Sequence, residues 1–286
     1  MKAPGLVPFK SRWGVLAALA SGCGGGLPLL HPAQPLPSGV TSLSAGFGSQ
    51  WVGGRANREI DDARAVVVSG QASPTLPSAA TIAAALYRPG FFPWASMRLG
   101  LGHQSEAGLA YTGHRVRLDA RYAWLRGPWA VSFGAGAGLG LAHATASTGS
   151  GSSAFGSTEA IAGLDTSGTR AVALDLPLLV GWRSTADIGR VWLGVRPVYE
   201  HAYGSLSFTQ ASSVAQADLN ANALTLNGIL GLAMGLRPVY LALEFSVGGS
   251  HGRGSLSGSP GSFAEGSATI TAITLTPAAA LIWEMR

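Results

Sequence analysis

From residue 40 onward the chain alternates apolar and non-apolar positions with a period of two, the repeat of a β-strand with one apolar face. In 171–183, Val172, Leu174, Leu176, Leu178, Val180 and Trp182 share one face. Ala171, Ala173, Asp175, Pro177, Leu179, Gly181 and Arg183 share the other. In 115–124, Val116, Leu118, Ala120, Tyr122 and Trp124 oppose Arg115, Arg117, Asp119 and Arg121. In 129–142 the face opposite Trp129, Val131, Phe133, Ala135, Ala137, Leu139 and Leu141 is mostly glycine, from Gly134 to Gly140. In 190–203, Val191 to Tyr203 oppose a set that includes Arg190, Arg196 and Glu200. In 239–247, Val239, Leu241, Leu243, Phe245 and Val247 oppose Tyr240, Ala242, Glu244 and Ser246.

Ten such segments are predicted: 40–51, 93–101, 105–112, 114–125, 128–144, 168–183, 187–205, 219–234, 237–252 and 267–285. The fold class is all-β. Most segments reach the ~9–11 residues of a tilted membrane-spanning strand, and their number is even, as in single-chain bacterial barrels. Connections after even-numbered segments are short: Gly102–Gln104, Arg126-Gly127, Ser184–Ala186 and Gly235-Leu236. Those after odd-numbered segments are longer, at 52–92, 145–167, 206–218 and 253–266, with a short link near Gly113. This sorting is the signature of an antiparallel up-and-down transmembrane β-barrel with short periplasmic turns and longer external loops. About ten strands are expected, with eight and twelve as alternatives. Twelve follows if two parts of 52–92 also span: Ala65–Ser69 favours strand, and Ser78–Leu86 reads as a Ser-capped short helix or a strand. Otherwise 52–92 is an external cap over the barrel mouth.

Aromatic placement agrees with a membrane barrel. Trp124, Trp129, Trp182 and Trp283 fall on the apolar face at the short-turn end, and Tyr111, Tyr199 and Tyr203 on the same face at the other end. Indole and phenol rings favour the two membrane interfaces. By parity, no Arg, Asp or Glu of the ten segments is expected on the apolar face. A soluble barrel with its apolar face inward has the same alternation and remains the alternative fold.

Composition narrows the classes. Glycine is 41 of 286 residues, about twice the usual ~7%. Charged residues are 12%, about half the usual ~25%. No apolar run approaches the ~18–20 residues of a membrane helix. The 47% hydrophobic content excludes general disorder, and one cysteine excludes a disulfide framework. Residues 1–22 carry Lys2, Lys10 and Arg12 before a short apolar stretch from Trp13 to Ala20, the pattern of a secretory signal. Leu19-Ala20-Ser21-Gly22-Cys23 is similar to a bacterial lipobox, which makes Cys23 the expected lipidation site. Residues 23–39 are expected to form an extended Gly/Pro-rich tether, not a packed element, and 40–286 the barrel domain. Removing the signal lowers Lys plus Arg from 19 to 16 against 14 acids, so the net charge falls from +5 to about +2. With no basic cluster beyond the signal, nucleic acid is not an expected partner.

The chain resembles the small outer-membrane β-barrel proteins of Gram-negative bacteria, in particular lipobox-bearing barrels of mostly unassigned function. The resemblance rests on LASGC, on the tether ending PLPSG, on the stretch MRLGLGHQSEAGLAYTGHRVRLDARYAWLRG, and on a strand running to the C-terminus. It implies the outer membrane as location, its lipid bilayer as partner, and the barrel-assembly machinery as partner during biogenesis. In such proteins an aromatic residue commonly ends the last strand. Here the chain ends Trp283-Glu284-Met285-Arg286.

The charges expected to face the lumen are Arg98, Glu106, Arg115, Arg117, Asp119, Arg121, Asp175, Arg183, Arg190, Arg196, Glu200 and Glu244. A barrel of about ten strands is nearly filled by its own side chains. Gly134–Gly140 lies beside the Arg115–Arg121 face and reads as room for guanidinium groups. An ion-pair network is the leading expectation, with a structural or surface-interaction role. A narrow pore with slight anion preference is the alternative. No catalytic residue, metal site or cofactor is assigned. A rim hydrolase has His143 near Thr145, Ser147 and Asp165 as its best candidate, with His201 and His251 also near external ends.

Overall fold

The computed structural model describes residues 28–69, 75–87, 89–113, 115–140, 161–210, 213–258 and 265–286. Ten antiparallel strands cross in a closed barrel, each hydrogen-bonded to its neighbours in the chain. They are β1 (Thr41–Gly53), β2 (Gly90–Gly102), β3 (Ser105–Tyr111), β4 (Arg115–Arg126), β5 (Trp129–Gly140), the split pair β7 (Thr169–Asp175) and β8 (Leu178–Arg183), β9 (Gly189–Gln210), β10 (Ser213–Leu236), β11 (Val239–Gly258) and β12 (Gly266–Met285). The barrel closes where β1 meets β12, from Thr41↔Met285 to Gly53↔Ile273. A two-residue strand, β6 (Leu164–Asp165), adds to the outer end of β9. The break between β7 and β8 falls at Pro177, which has no N–H to give to a ladder.

The barrel is lopsided. Strands β9 to β12 have 20–24 residues, whereas β2 to β5 have 7–13. The long strands cross two environments, and the meaning of the alternation inverts between them. On β10, Leu224, Leu226, Leu230, Leu232 and Met234 are exposed outward, while Thr225 and Asn227 are buried inward. Nearer the external end, Asp218, Asn220 and Asn222 face out and Ala217, Leu219 and Ala221 are buried. The surface of the bilayer therefore lies between Leu224 and Asn222. Ten residue steps from Leu224 to Met234, at ~3.3 Å each and ~40° of tilt, give about 25 Å, the height of a barrel's apolar belt.

Two helices fill the upper mouth. Helix α1 (Arg55–Val68) buries Ala56, Ile60 and Ala63 on one face. Its other face pairs Arg55 with Glu59 and Arg64 with Asp61, each at 3.1 Å. Helix α2 (Ser78–Leu86) is buried from Ala80 to Leu86 and packs against β10, β11 and β12. An apolar helix of small residues needs such enclosure. Ile82, Leu86 and Tyr87 meet Leu206, Phe208, Leu219 and Ile270 in one apolar core.

The structure corrects five sequence expectations. Ala65–Ser69 ends helix α1 instead of forming a strand, because Ala63 and its neighbours follow the buried helical face. Neither part of 52–92 spans, so the twelve-strand alternative falls and the cap remains. The loop expected at 206–218 is mostly strand: β9 and β10 continue to Gln210 and Ser213, and β11 runs to Gly258. They do so because their inward face becomes the wall of the upper apolar core. From residue 28 the expected tether is packed inside the barrel, with Leu29, Leu30 and Ala33 at most 3% exposed. Arg170 stands exposed on the face shared with Val172 and Leu174, contrary to the parity expectation, because it lies at the outer end of β7.

Gly231 faces the lumen beneath Trp192, where a Cβ would stand 2.0 Å from the indole. Gly231→Ala is expected to cost ~1–3 kcal/mol through overpacking. Gly249→Ala, with nothing within 4 Å, is expected to stay within ~0.5 kcal/mol. Urea unfolding in lipid vesicles, followed by cold-SDS gel mobility, checks both.

Candidate functional site

The lumen within the apolar belt is filled by charge. Arg98, Glu106, Arg115, Arg117, Asp119, Arg121, Asp175, Arg196, Glu200 and Glu244 all face inward and are 0–8% exposed. Seven of them form one unbroken chain. Glu106 accepts from Arg121 at 2.9 Å and from Arg98. Arg98 also reaches Asp119 at 2.5 Å. Arg117 bridges Asp119 at 2.6 Å and Asp175 at 2.8 Å, and Arg196 completes Asp175 at 3.0 Å. Arg115 and Glu200 pair separately at 2.8 Å. The planar, multi-donor guanidinium suits such bridging. Glycines give it space: a Cβ on Gly136 would lie 2.6 Å from Arg117, and one on Gly108 2.6 Å from Arg98.

The chain of seven holds four arginines and three carboxylates, and the N-terminal segment supplies the missing acceptors. Arg121 donates to the carbonyls of Pro32 and Gln34 and to His31 Nδ1, the last at 2.8 Å. Leu36 N–H donates to Glu106 at 2.8 Å. Across the lumen, Glu244 accepts from Leu29 N–H at 2.6 Å, Leu30 N–H at 2.8 Å and Trp192 Nε1 at 3.1 Å. Leu29, Leu30 and Ala33 pack on Trp94, Leu179, Trp192 and Tyr240. Residues 28–36 thus lie between the charged side chains Arg98, Glu106 and Arg121 and an apolar patch of Trp94, Leu179, Trp192 and Tyr240, with Glu244 beneath it. A cavity of about 30 Å³ lies beside them, lined also by Arg183, Arg190 and Arg237 of the short-turn rim.

The sequence reading missed Trp192, Trp94 and this segment. Trp192 had a signal, since it shares parity with Arg190 and Arg196. The segment's Leu29-Leu30 pair was a weaker one.

At the short-turn rim, Arg183 and Arg190 join a separate cluster. Asp187, in the turn between β8 and β9, accepts from Arg190 at 2.9 Å and Arg237 at 2.7 Å. Arg190 also pairs with Glu284 of the last strand and stacks 4.2 Å from the Tyr240 ring centre. Partial burial pushes the Asp187 carboxyl up, but the hydrogen bonds of Arg190 and Arg237 and the charges of Arg190 and Arg183 outweigh it and hold it below the usual carboxylate range.

Outside, Trp124, Trp129, Trp182 and Trp283 stand exposed at the short-turn end. Tyr111, Tyr199 and Tyr203 stand exposed at the opposite end. Tyr199 hydroxyl donates to Asn222 Oδ1 at 2.7 Å, and Tyr203 stacks on His201 at 5.4 Å. His201 Nδ1 bonds Asn222 Oδ1 at 2.8 Å, and Asp165 accepts from Ser167 N–H at 2.7 Å and from the Ser167 hydroxyl at 2.8 Å. His143, Thr145, Ser147 and Cys23 lie outside the described residues. Among the described residues no group of three or more His, Cys, Asp or Glu could hold a metal ion.

A closed antiparallel barrel with an apolar outer belt and a polar lower lumen is a transmembrane β-barrel. No protein-family model matches the chain. No curated protein matches it. Among solved structures it is similar to the outer membrane protein OprG of Pseudomonas aeruginosa, with 9% identity over 88% of this chain and 99% of that one, at a TM-score of 0.38. It is similar also to a major outer membrane protein of Thermus thermophilus, with 11% identity over 86% and 99% of the two chains, at 0.35. The attachment invasion locus protein Ail of Yersinia pestis shows 10% identity over 87% and 99%, at 0.29. The architecture rests on the chain's own register and outer belt, not on these likenesses.

Arg117→Met leaves Asp119 and Asp175 each short of a partner and is expected to cost ~3–5 kcal/mol in urea unfolding. The same change at the exposed Arg126 is expected to stay within ~0.5 kcal/mol. Asp187 has a folded pKa below its unfolded value, so the stability it supplies is present above about pH 4 and is lost as pH falls through the folded value. Acid titration of unfolding is expected to show this loss in the native chain and not in Asp187→Asn.

Proposed function

We propose that this chain is an outer-membrane β-barrel with a closed lumen and a structural or surface-interaction role. The observation that carries the reading is the seat of residues 28–36, whose backbone is hydrogen-bonded to Glu244, Glu106 and Arg121. With α2 buried in the upper mouth, side chains and backbone take up the space a pore would need. Residues 1–22 act as the export signal and Cys23 as the lipidated mature N-terminus, a reading supported by LASGC. The bilayer meets the apolar belt, and the assembly machinery meets the last strand, with Trp283 as its aromatic. The external surface, not the lumen, then offers itself to partners.

The other readings have less support. A narrow anion channel needs a continuous wet path past four buried arginines already held by carboxylates and carbonyls. A soluble barrel for an apolar ligand needs its apolar face inside, whereas Leu118, Leu174, Leu193, Leu230 and Leu281 are 57–62% exposed. The proposal includes no catalytic step.

Planar-bilayer recording tests the closed lumen. The folded native chain is expected to be silent, and a variant lacking residues 28–36 to show stepwise openings. Conductance by the native chain, or silence from a folded variant lacking the segment, overturns the reading.

A further inference from the structure

The inward arginines named above all have acceptors. Two outward ones near the external end of the belt differ. Arg170 at the outer end of β7 and Arg253 on β11 are exposed, and neither makes an ion pair or hydrogen bond with another described residue. They stand at the height where the apolar belt ends. The register sets His201, Asn222 and Arg253 side by side on β9, β10 and β11. The next outward row sets Arg170 against Tyr203 and Tyr203 against Asn220. The next row toward the belt is Tyr199, Leu224 and His251.

Within this patch the donors are arranged. Asn222 Oδ1 is occupied by the Tyr199 hydroxyl and His201 Nδ1. That leaves the Asn222 NH₂ group free to donate beside the Arg253 guanidinium. The carboxylates on the same face, Asp218 and Asp165, stand farther from the bilayer, opposite Ser205 and Ser207. Below lie Leu224, Leu226, Val247 and Ile273, an apolar wall for acyl chains. Three strand spacings separate Arg170 from Arg253, about 14 Å across the sheet.

We propose that Arg170, Arg253, Asn222 and His201 form a headgroup site for an outer-leaflet lipid bearing two phosphates. Each guanidinium takes one phosphate, with Asn222 donating between them and the acyl chains lying on the belt below. Charge-assisted bonds to phosphate are the strong ones at a surface of this kind. The belt selects a lipid over free phosphate, since only a lipid gains from both surfaces. The inference rests on the outer-membrane reading above.

The full chain is folded into phosphatidylcholine nanodiscs and titrated with diphosphoryl lipid A, with its dephosphorylated form and with inorganic phosphate. Bound lipid is counted by native mass spectrometry, and cold-SDS mobility is read on the same samples. The diphosphoryl form is expected to bind, with inorganic phosphate unable to displace it. Arg170→Gln and Arg253→Gln are each expected to weaken binding about tenfold, ~1.4 kcal/mol. Arg126→Gln, at the opposite rim, is expected to leave it unchanged. Equal binding by the double variant, by the dephosphorylated lipid, or displacement by inorganic phosphate overturns the site while the membrane reading stands. Failure of the native chain to enter the discs in its cold-SDS-resistant form overturns both.

Discussion

Charge enclosed by a ring of lipid has no bulk water to retreat to. That constraint governs the lower half of this barrel. Once Arg98, Arg117, Arg121 and Arg196 point inward, each needs acceptors within the same ring, because an isolated buried charge is far costlier than a paired one. Three carboxylates meet most of that need. Two further bonds from Arg121 go to the carbonyls of Pro32 and Gln34, which brings a stretch of backbone into the lumen. The glycine face of β5 follows from the same demand, since guanidinium groups lie where side chains would.

The upper half obeys the opposite rule with the same pattern. Above the bilayer the wall has water outside, so its apolar face turns inward and needs filling. Helices α1 and α2 supply that filling. One uninterrupted strand such as β10 therefore serves as a membrane strand below and a soluble-barrel strand above. The change between Asn222 and Leu224 takes no break in hydrogen bonding with β9 or β11.

How much of this was legible in the sequence depends on distance along the chain. The faces of 115–124 and 239–247 could be read directly, because neighbouring residues alone report which side lipid touches. The charged set could be read as a set, but not which guanidinium meets which carboxylate, since Arg117 and Asp175 are 58 residues apart. The strand extensions at 206–218 were hidden because the polarity of the two faces inverts there and the outward residues look like loop. Val66–Val68 favours strand locally, and only the helical spacing of Ala56, Ile60 and Ala63 outweighs it. Pro-rich residues 28–36 read as tether because the groups that hold them, Glu106, Arg121 and Glu244, lie far along the chain.

The hydrogen bond from Leu29 to Glu244 joins residues 215 positions apart. Contacts of that span are the slowest to form, because so much chain must be brought together first. Until β11 is in place Leu29 has no Glu244 to meet, and until Pro32 arrives Arg121 lacks its carbonyl. Seating of the N-terminal segment thus depends on β3, β4 and β11 being in place together. A barrel halted before that point would hold unmatched charge on one side and bare leucine-binding surface on the other.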